Sequence, residues 1–244
     1  TFSGGEDSST VFSGFTIQNG DTTFGGGILL FNSNPILSDL RIKDNWAYRG
    51  AGIYCDASSP EIVNCDIVAN IASGRGGAIY CLNSSPLIYN NTISNNYAET
   101  TGSAIQCLGN TGSRPTVSHN VFYNNTENTG TIHCEAAEVN NPIITNNLFY
   151  SNQSMWGGAI AINWSTPLVV NNTIVNNSAS IAGGGIYCWQ NANPTLVNNI
   201  IWGNSGGELV VDGAGAIVRW SNIKGGWTGE GNINANPLIA DSMT

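Results

Sequence analysis

The sequence predicts an all-β fold, a parallel β-helix (solenoid) of about 8–9 coils with three short strands in each coil. Two repeated features predict it. A segment that begins with isoleucine recurs at intervals of 25 to 28 residues, and a second segment begins at a proline in every interval. The first segments begin at Ile28, Ile53, Ile79, Ile105, Ile132, Ile160 and Ile186. A period in this range indicates one supersecondary unit per repeat, stacked on its neighbours.

The first segment is predicted to be a strand, because its apolar positions alternate with a period of two. The second inward position is cysteine in five copies, Leu30 in another and Ile162 in another. A position shared by cysteine, leucine and isoleucine is a core position, where free cysteine behaves as a small hydrophobe. We therefore expect buried, reduced thiols. The five cysteines are Cys55, Cys81, Cys107, Cys134 and Cys188.

The second segment supplies two further short strands and an asparagine column. Its prolines are Pro35, Pro60, Pro86, Pro115, Pro142, Pro167 and Pro194. Asparagine follows ten residues after each proline, at Asn45, Asn70, Asn96, Asn125, Asn152, Asn177 and Asn204. Stacked amides donate to one neighbour and accept from the next, so we expect internal hydrogen-bonded ladders at the turns.

Other repeat folds fit less well. The leucine-rich repeat needs a Leu-x-x-Leu-x-Leu run, and helical repeats need an apolar stripe of helical period. Neither pattern is present. We expect a single β-helix domain over residues 1–244, with regular repeats at about 25–204, an irregular N-terminal coil at 1–24 and irregular C-terminal coils at 205–244.

Composition limits the possible partners. The chain has a net charge of −9, a pI of about 4.4 and only seven lysines and arginines. Nucleic acid is therefore not an expected partner, because phosphate binding needs clustered cations. No run approaches the roughly 18 apolar residues of a membrane span. No cofactor or metal motif is evident, so we expect none. Because the sequence begins at Thr1 without methionine, we expect a processed product or an excised domain.

The pattern Gly-Gly-Ala-Ile-Tyr-Cys-x-x-Ser-Ser-Pro-x-Ile-x-Asn-Asn-x-Ile-x-x-Asn, clearest at residues 76–96, resembles the right-handed parallel β-helix repeat family. It is similar to the asparagine-rich repeats of bacterial secreted and cell-surface proteins, whose fold is related to that of pectate lyases. The resemblance implies an extracellular or cell-surface location in a bacterium. It does not decide activity, because the family includes lyases, glycosidases, adhesins and uncharacterised proteins.

One group of polar residues is a candidate catalytic site, although no complete catalytic motif is present. In the first segments, His133 and Glu135 are expected on one outward face of a single coil, beside Gln106 and near Glu138 in the following loop. Hydrolysis of a glycosidic bond needs two carboxylates about 5–10 Å apart, a role open to Glu135 and Glu138. The other interpretation is a solvated face with a loop insertion.

Outward aromatic residues are candidate ligand-binding or partner-binding groups. Exposed rings stack on sugars or anchor protein interfaces, but they also stabilise a sheet surface by stacking on one another. The two predicted columns contain Tyr54, Tyr80 and Tyr187 on one sheet, and Tyr123, Tyr150 and Trp202 on another.

These observations favour a non-catalytic extracellular module with an adhesive or structural role, whose partner is a further copy of itself in a head-to-tail fibre. The alternative is a secreted protein that binds or degrades an extracellular polysaccharide. A groove with two carboxylates and a cation would favour the enzyme.

Overall fold

The computed structural model describes residues 1–109, 113–136 and 141–239. Every regular element in these ranges is a β-strand, and strands of successive coils pair in parallel into four sheets. The predicted all-β parallel β-helix is therefore confirmed, with about eight coils. No helix that could span a membrane occurs among the described residues.

The sheets are numbered by their order within a coil, starting from the isoleucine segment. Sheet 1 contains Ile28–Phe31, Ile53–Asp56, Ile79–Leu82, Ile105–Gly109, Ile132–Ala136, Ile160–Asn163, Ile186–Trp189 and Leu209–Asp212. Sheet 2 contains Val11–Ser13, Ile36–Ser38, Glu61–Val63, Leu87–Tyr89, Thr116–Ser118, Ile143–Thr145, Leu168–Val170, Thr195–Val197 and Ile217–Arg219. Sheet 3 contains Thr16–Gln18, Arg41–Lys43, Asp66–Val68, Thr92–Ser94, Val121–Tyr123, Leu148–Tyr150, Thr173–Val175, Ile200–Trp202 and Asn222–Ile223. Sheet 4 contains Asp21–Phe24, Trp46–Arg49, Ile71–Arg75, Tyr97–Ala98, Thr126–Glu127, Gln153–Trp156 and Ser178–Ala182.

The core consists of inward columns from sheets 1, 2 and 3. In sheet 1 the isoleucine that opens seven of the eight strands is buried, and so is the residue two positions later, which is cysteine in five of them. All six cysteines are buried and none is in a disulfide, as the shared core position predicts. Burial raises the pKa of Cys188 to about 12, so this thiol stays protonated at neutral pH.

The predicted asparagine ladders are confirmed. At the corner between sheets 3 and 4, Asn125 Nδ2 donates to Asn152 Oδ1 at 3.0 Å, and Asn152 Nδ2 donates to Asn177 Oδ1 at 2.8 Å. Asn152 Nδ2 also donates to the Phe122 carbonyl of the preceding coil at 3.0 Å. A second ladder lies at the corner between sheets 2 and 3 and runs through Asn91, Asn120, Asn147, Asn172 and Asn199.

Glycine allows a sharp turn from sheet 4 into the next strand of sheet 1. Gly76 has φ of +69°, which favours glycine. A Cβ atom on Gly76 would lie only 2.8 Å from Cβ of Tyr80, an outward residue of sheet 1. The end of sheet 4 therefore lies close to the outward face of sheet 1.

We predict that the native protein reacts little with an aromatic disulfide reagent, because its thiols are buried. Unfolding in denaturant without reductant should release six thiols. Recovery of two or four would show that disulfides had formed and would contradict the structure.

We predict that Asn147→Asp strongly destabilises the fold. Asn147 Nδ2 donates to Val117 O and Asn172 Oδ1 at 2.9 and 3.0 Å, and a carboxylate would place an acceptor against both acceptors. Each buried group left unsatisfied costs about 1–3 kcal/mol in unfolding free energy. The matched control is Asn124→Asp at an exposed turn, where we expect little change in the denaturation midpoint. Equal midpoints for the two variants would show that the ladder adds no stability.

Candidate functional site

The candidate residues of the isoleucine segments lie along the line on the rod where sheet 4 turns into sheet 1, here called the seam. Its floor is the outward column of sheet 1. One wall is formed by the residues that end the sheet 4 strands, and the opposite wall is formed by the residues that end the sheet 1 strands. In register along the rod, the floor contains Leu29, Tyr54, Tyr80, Gln106, His133, Ala161 and Tyr187.

The expectation that the whole floor is exposed is wrong. The exposed fractions of Tyr54, Tyr80 and His133 are 6%, 0% and 2%. Side chains from the sheet 4 wall cover the two tyrosines: the Phe24 ring lies 5.1 Å from the Tyr54 ring, and the Arg49 guanidinium lies 5.6 Å from the Tyr80 ring centroid. An outward direction in the strand therefore does not mean contact with solvent here.

A chain of buried polar side chains runs along the floor. Thr101 Oγ1 donates to Gln106 Oε1 at 2.5 Å, and the two ring nitrogens of His133 lie 2.9 Å from Gln106 Oε1 and 2.8 Å from Asn163 Oδ1. The Gln106 and Asn163 amides therefore contact the two ring nitrogens of His133 from opposite sides along the column.

This chain determines the state of His133. Burial lowers the pKa of His133 to about 4, against opposing contributions from Glu135 and from the Asn163 hydrogen bond, so the ring is neutral at pH 7. A neutral ring donates through one nitrogen and accepts through the other, so one of the two flanking amides presents its oxygen to the ring and the other its NH₂ group. Both ring nitrogens are occupied, and His133 is not placed to exchange protons with a ligand.

The proposed acidic residues do not form a described pair. Glu135 Oε2 accepts a hydrogen bond from an Arg75 guanidinium nitrogen at 2.9 Å, in an ion pair that is about one-third exposed or less. Glu138 lies outside the described residues. Among the described residues, no group of three or more histidine, cysteine, aspartate or glutamate side chains is placed to hold a metal ion.

An aromatic pocket opens further along the seam. It has a volume of about 300 Å³ and is lined by Thr129, Trp156, Tyr187 and Trp189. Trp189 leans back over the small Ala161, because its ring is stacked on Tyr187 at 5.1 Å and on His133 at 5.7 Å. The missing floor ring at Ala161 is thus replaced by a ring from the wall.

The sequence prediction included Tyr187 from this pocket but not Trp156 or Trp189. Trp156 lies on a different sheet from Tyr187, and only the sharp glycine turn brings the two together. The sequence did contain one signal. Ala161 is the only small residue in the outward column of sheet 1, and it leaves room for a neighbouring ring.

The second predicted aromatic column lies on sheet 3 and is half-buried. Tyr123 and Tyr150 are stacked with ring centroids 5.2 Å apart and an interplanar angle of 10°. Val175 is fully buried and separates Tyr150 from Trp202. These rings lie on the sheet surface and pack against one another, and no pocket is described around them.

Comparison with known proteins identifies one family. Its model, described as "Right handed beta helix region", matches residues 2–112 and 70–224, well over half of the chain. This match agrees with the resemblance seen in the sequence and with the architecture of the structure. No curated protein and no solved structure matches the chain.

We predict that His133 makes stability depend on pH between about 6.5 and 4. Its folded pKa is below the unfolded value, so the unfolded chain binds more protons in this range and the free energy of unfolding falls as pH falls. Above pH 6.5 the full contribution is present. Urea denaturation of the native protein and of His133→Gln at pH 7, 5.5 and 4.5 tests this. The variant should lose less stability on acidification, and parallel pH profiles would contradict the prediction.

Proposed function

This chain belongs to the right-handed β-helix family, and we propose that it is a non-catalytic extracellular module that recognises a polysaccharide through the aromatic pocket of the seam. The pocket is the observation that carries the proposal. A location at the cell surface of a bacterium and an adhesive role are parts of the same proposal.

The pocket has the chemistry of a sugar site. The rings of Trp156, Tyr187 and Trp189 line one concave space, while Thr129 supplies a hydroxyl group. The apolar face of a sugar ring stacks on aromatic rings, and large aromatic side chains dominate binding energy at such sites. The stack of Trp189 between His133 and Tyr187 holds its ring in place and reduces the entropy lost on binding.

The polar residues near the pocket favour binding over catalysis. Glu135 is engaged by Arg75, and His133 is buried with both ring nitrogens in hydrogen bonds. Glycoside hydrolysis needs a proton donor and a second carboxylate on opposite sides of the bond. Neither role is supported by the described contacts of these two residues.

Head-to-tail association into a fibre is a second candidate role. It is favoured by exposed apolar side chains on coils at opposite ends of the described rod: Val11 and Phe15 on one, Ile217 and Trp220 on the other. Unpaired strand edges and exposed apolar groups promote pairing between chains. Sedimentation velocity over a range of protein concentrations tests this role separately from glycan binding.

We predict that Trp156→Ser and Tyr187→Ser weaken binding to a neutral oligosaccharide selected on a glycan array, by about tenfold or more as is usual for central aromatic residues. Isothermal titration calorimetry measures this effect. The matched control is Trp46→Ser, an exposed tryptophan on the outer face of sheet 4, which should bind as the native protein does.

Two results would contradict the proposal. Equal losses in Trp46→Ser and Trp156→Ser would place binding elsewhere or make it nonspecific. Release of new reducing ends from the bound polysaccharide, abolished by His133→Ala/Glu135→Ala, would show that the protein is an enzyme.

A further inference from the structure

A second concave part of the surface lies along the corner between sheets 2 and 3, away from the seam. Its C-terminal part, here called the corner groove, has a volume of about 460 Å³, and its lining includes Asn171, Asn198 and Trp220 of the corner and Thr173 of sheet 3. A further cleft of about 510 Å³ shares Asn171 and Thr173 with it and continues to the coil of Asn90. Five coil steps separate Asn90 from Trp220, so the two clefts together extend roughly 24 Å along the rod.

Trp220 departs from the repeat in the corner groove. Asparagine occupies the equivalent corner position in the two preceding coils, at Asn171 and Asn198. The backbone is left-handed at Asn171, Asn198 and Trp220, with φ of 56°, 55° and 47°. Asparagine tolerates this region, whereas a bulky residue is strained there. Trp220 is also 51% exposed, so packing in the core does not offset the strain, and a residue of this kind is a candidate ligand contact.

The C-terminal segment holds the Trp220 side chain in place. Trp220 N donates to the Glu230 carbonyl at 2.8 Å, and a Cβ atom on Gly231 would collide with the Trp220 ring, so only glycine lets the backbone pass so close to the indole. The Asn222 side chain and the Ala235 backbone exchange two hydrogen bonds of 2.7 and 3.1 Å, which anchor the segment. A ring that is held before a ligand arrives loses little freedom on binding.

Two corner amides beside Trp220 offer hydrogen bonds. Asn198 Nδ2 donates to Asn171 Oδ1 at 2.7 Å, and both residues are exposed. Whichever way the two interchangeable amides are turned, a single bond between them leaves further donor and acceptor capacity on the pair. Sugar hydroxyl groups use both, because each hydroxyl donates and accepts. Among the described residues, the lining of the corner groove includes no ionisable side chain.

We propose that the corner groove is a second glycan-binding site, in which Trp220 stacks on a sugar ring and the amides of Asn171 and Asn198 bind hydroxyl groups of a neutral, linear polysaccharide. This site goes beyond the proposed function, since it lies on a different edge of the rod from the aromatic pocket and does not depend on it.

The shape and charge of the groove select the ligand class. Successive corner side chains are about 4.8 Å apart, comparable with the length of one hexose unit, so a linear chain along the rod would meet an equivalent position at each unit. An acidic polysaccharide is disfavoured, because the lining supplies no cation and the chain has a net charge of −9.

The experiment compares sugar chains of different charge and length. The probes are neutral hexamers of β-1,4-linked glucose, mannose and xylose, a hexamer of galacturonic acid, and free glucose. Calorimetry measures their affinities for the native protein, Trp220→Asn, Trp156→Ser and the control Trp164→Asn. Trp164 is a matched control, because it is 49% exposed with φ of +54° and lies at another corner, between sheets 1 and 2.

We expect at least one neutral hexamer to bind more tightly than free glucose and the galacturonic acid hexamer. Trp220→Asn should weaken its binding about tenfold or more, as for the loss of a central aromatic residue, whereas Trp164→Asn should bind as the native protein does. Trp220→Asn restores the residue of the preceding coils, and thermal unfolding checks that it is folded. If it is not, Asn198→Gly, which suits the left-handed backbone, provides the test and should weaken binding about threefold to tenfold.

Other outcomes separate the two sites. Equal binding by the native protein and Trp220→Asn, or no binding of any neutral hexamer, overturns the corner groove. If Trp156→Ser alone abolishes binding, the proposed function stands without a second site. If Trp156→Ser binds as the native protein does and Trp220→Asn does not, the corner groove is supported and the aromatic pocket is not the site. Tighter binding of the galacturonic acid hexamer overturns the neutral class. If Trp220→Asn loses self-association in sedimentation velocity but keeps its glycan affinity, the corner is an interface between copies and the proposal is overturned.

Discussion

The asparagine ladders are the interaction on which the rest of the structure depends. Each rung fixes a corner of the coil, as Asn152 shows. Its amide oxygen accepts from the backbone and side chain of Asn125 in the preceding coil, and its NH₂ group donates to the Phe122 carbonyl of that same coil and to the Asn177 amide oxygen of the next coil. The corners consequently recur in register, and strands of only two to five residues suffice to form sheets. The ladder at the corner between sheets 3 and 4 ends at Asn204. The backbone and side chain of Asn204 donate to the Glu208 carboxylate, which takes the place of a further asparagine oxygen.

The seam can form a site because equivalent residues of successive coils lie in register along the rod. Residues at the same position in successive coils are about 4.8 Å apart, so a column of rings stacks, a column of amides bonds, and a single small residue leaves a gap of one ring. Ala161 is such a gap, and Trp189 fills it from the neighbouring column. The pocket beside it therefore arises from one departure from the repeat, on a scaffold that is otherwise regular.

The parts of the structure that depend on period were predictable from sequence, whereas those that depend on the turn between sheets were not. The inward positions of Cys81 and Ile79 and the ladder position of Asn147 follow from alternation and spacing alone. The burial of Tyr80 does not, because it is caused by Arg49 from a different sheet. Alternation gives the direction of a side chain, but the glycine turn at Gly76 and Gly77 decides how near the next sheet lies. For the same reason the partnership of Trp156 with Tyr187 was not visible in the sequence.

Stability and recognition make different demands on the same column. A fold selected only for stacking would continue the tyrosines of Tyr54 and Tyr80, whose rings stack at 5.2 Å, through the whole floor. Instead the floor changes to Gln106 and His133, which are buried and need the polar contacts of Thr101 and Asn163 to be satisfied. Since each coil contacts chiefly its neighbours, this local cost is tolerated by the coils on either side. Some residues depart from the repeat, cost stability and add nothing to the packing of the core. In a solenoid of this kind, those residues are where function is expected.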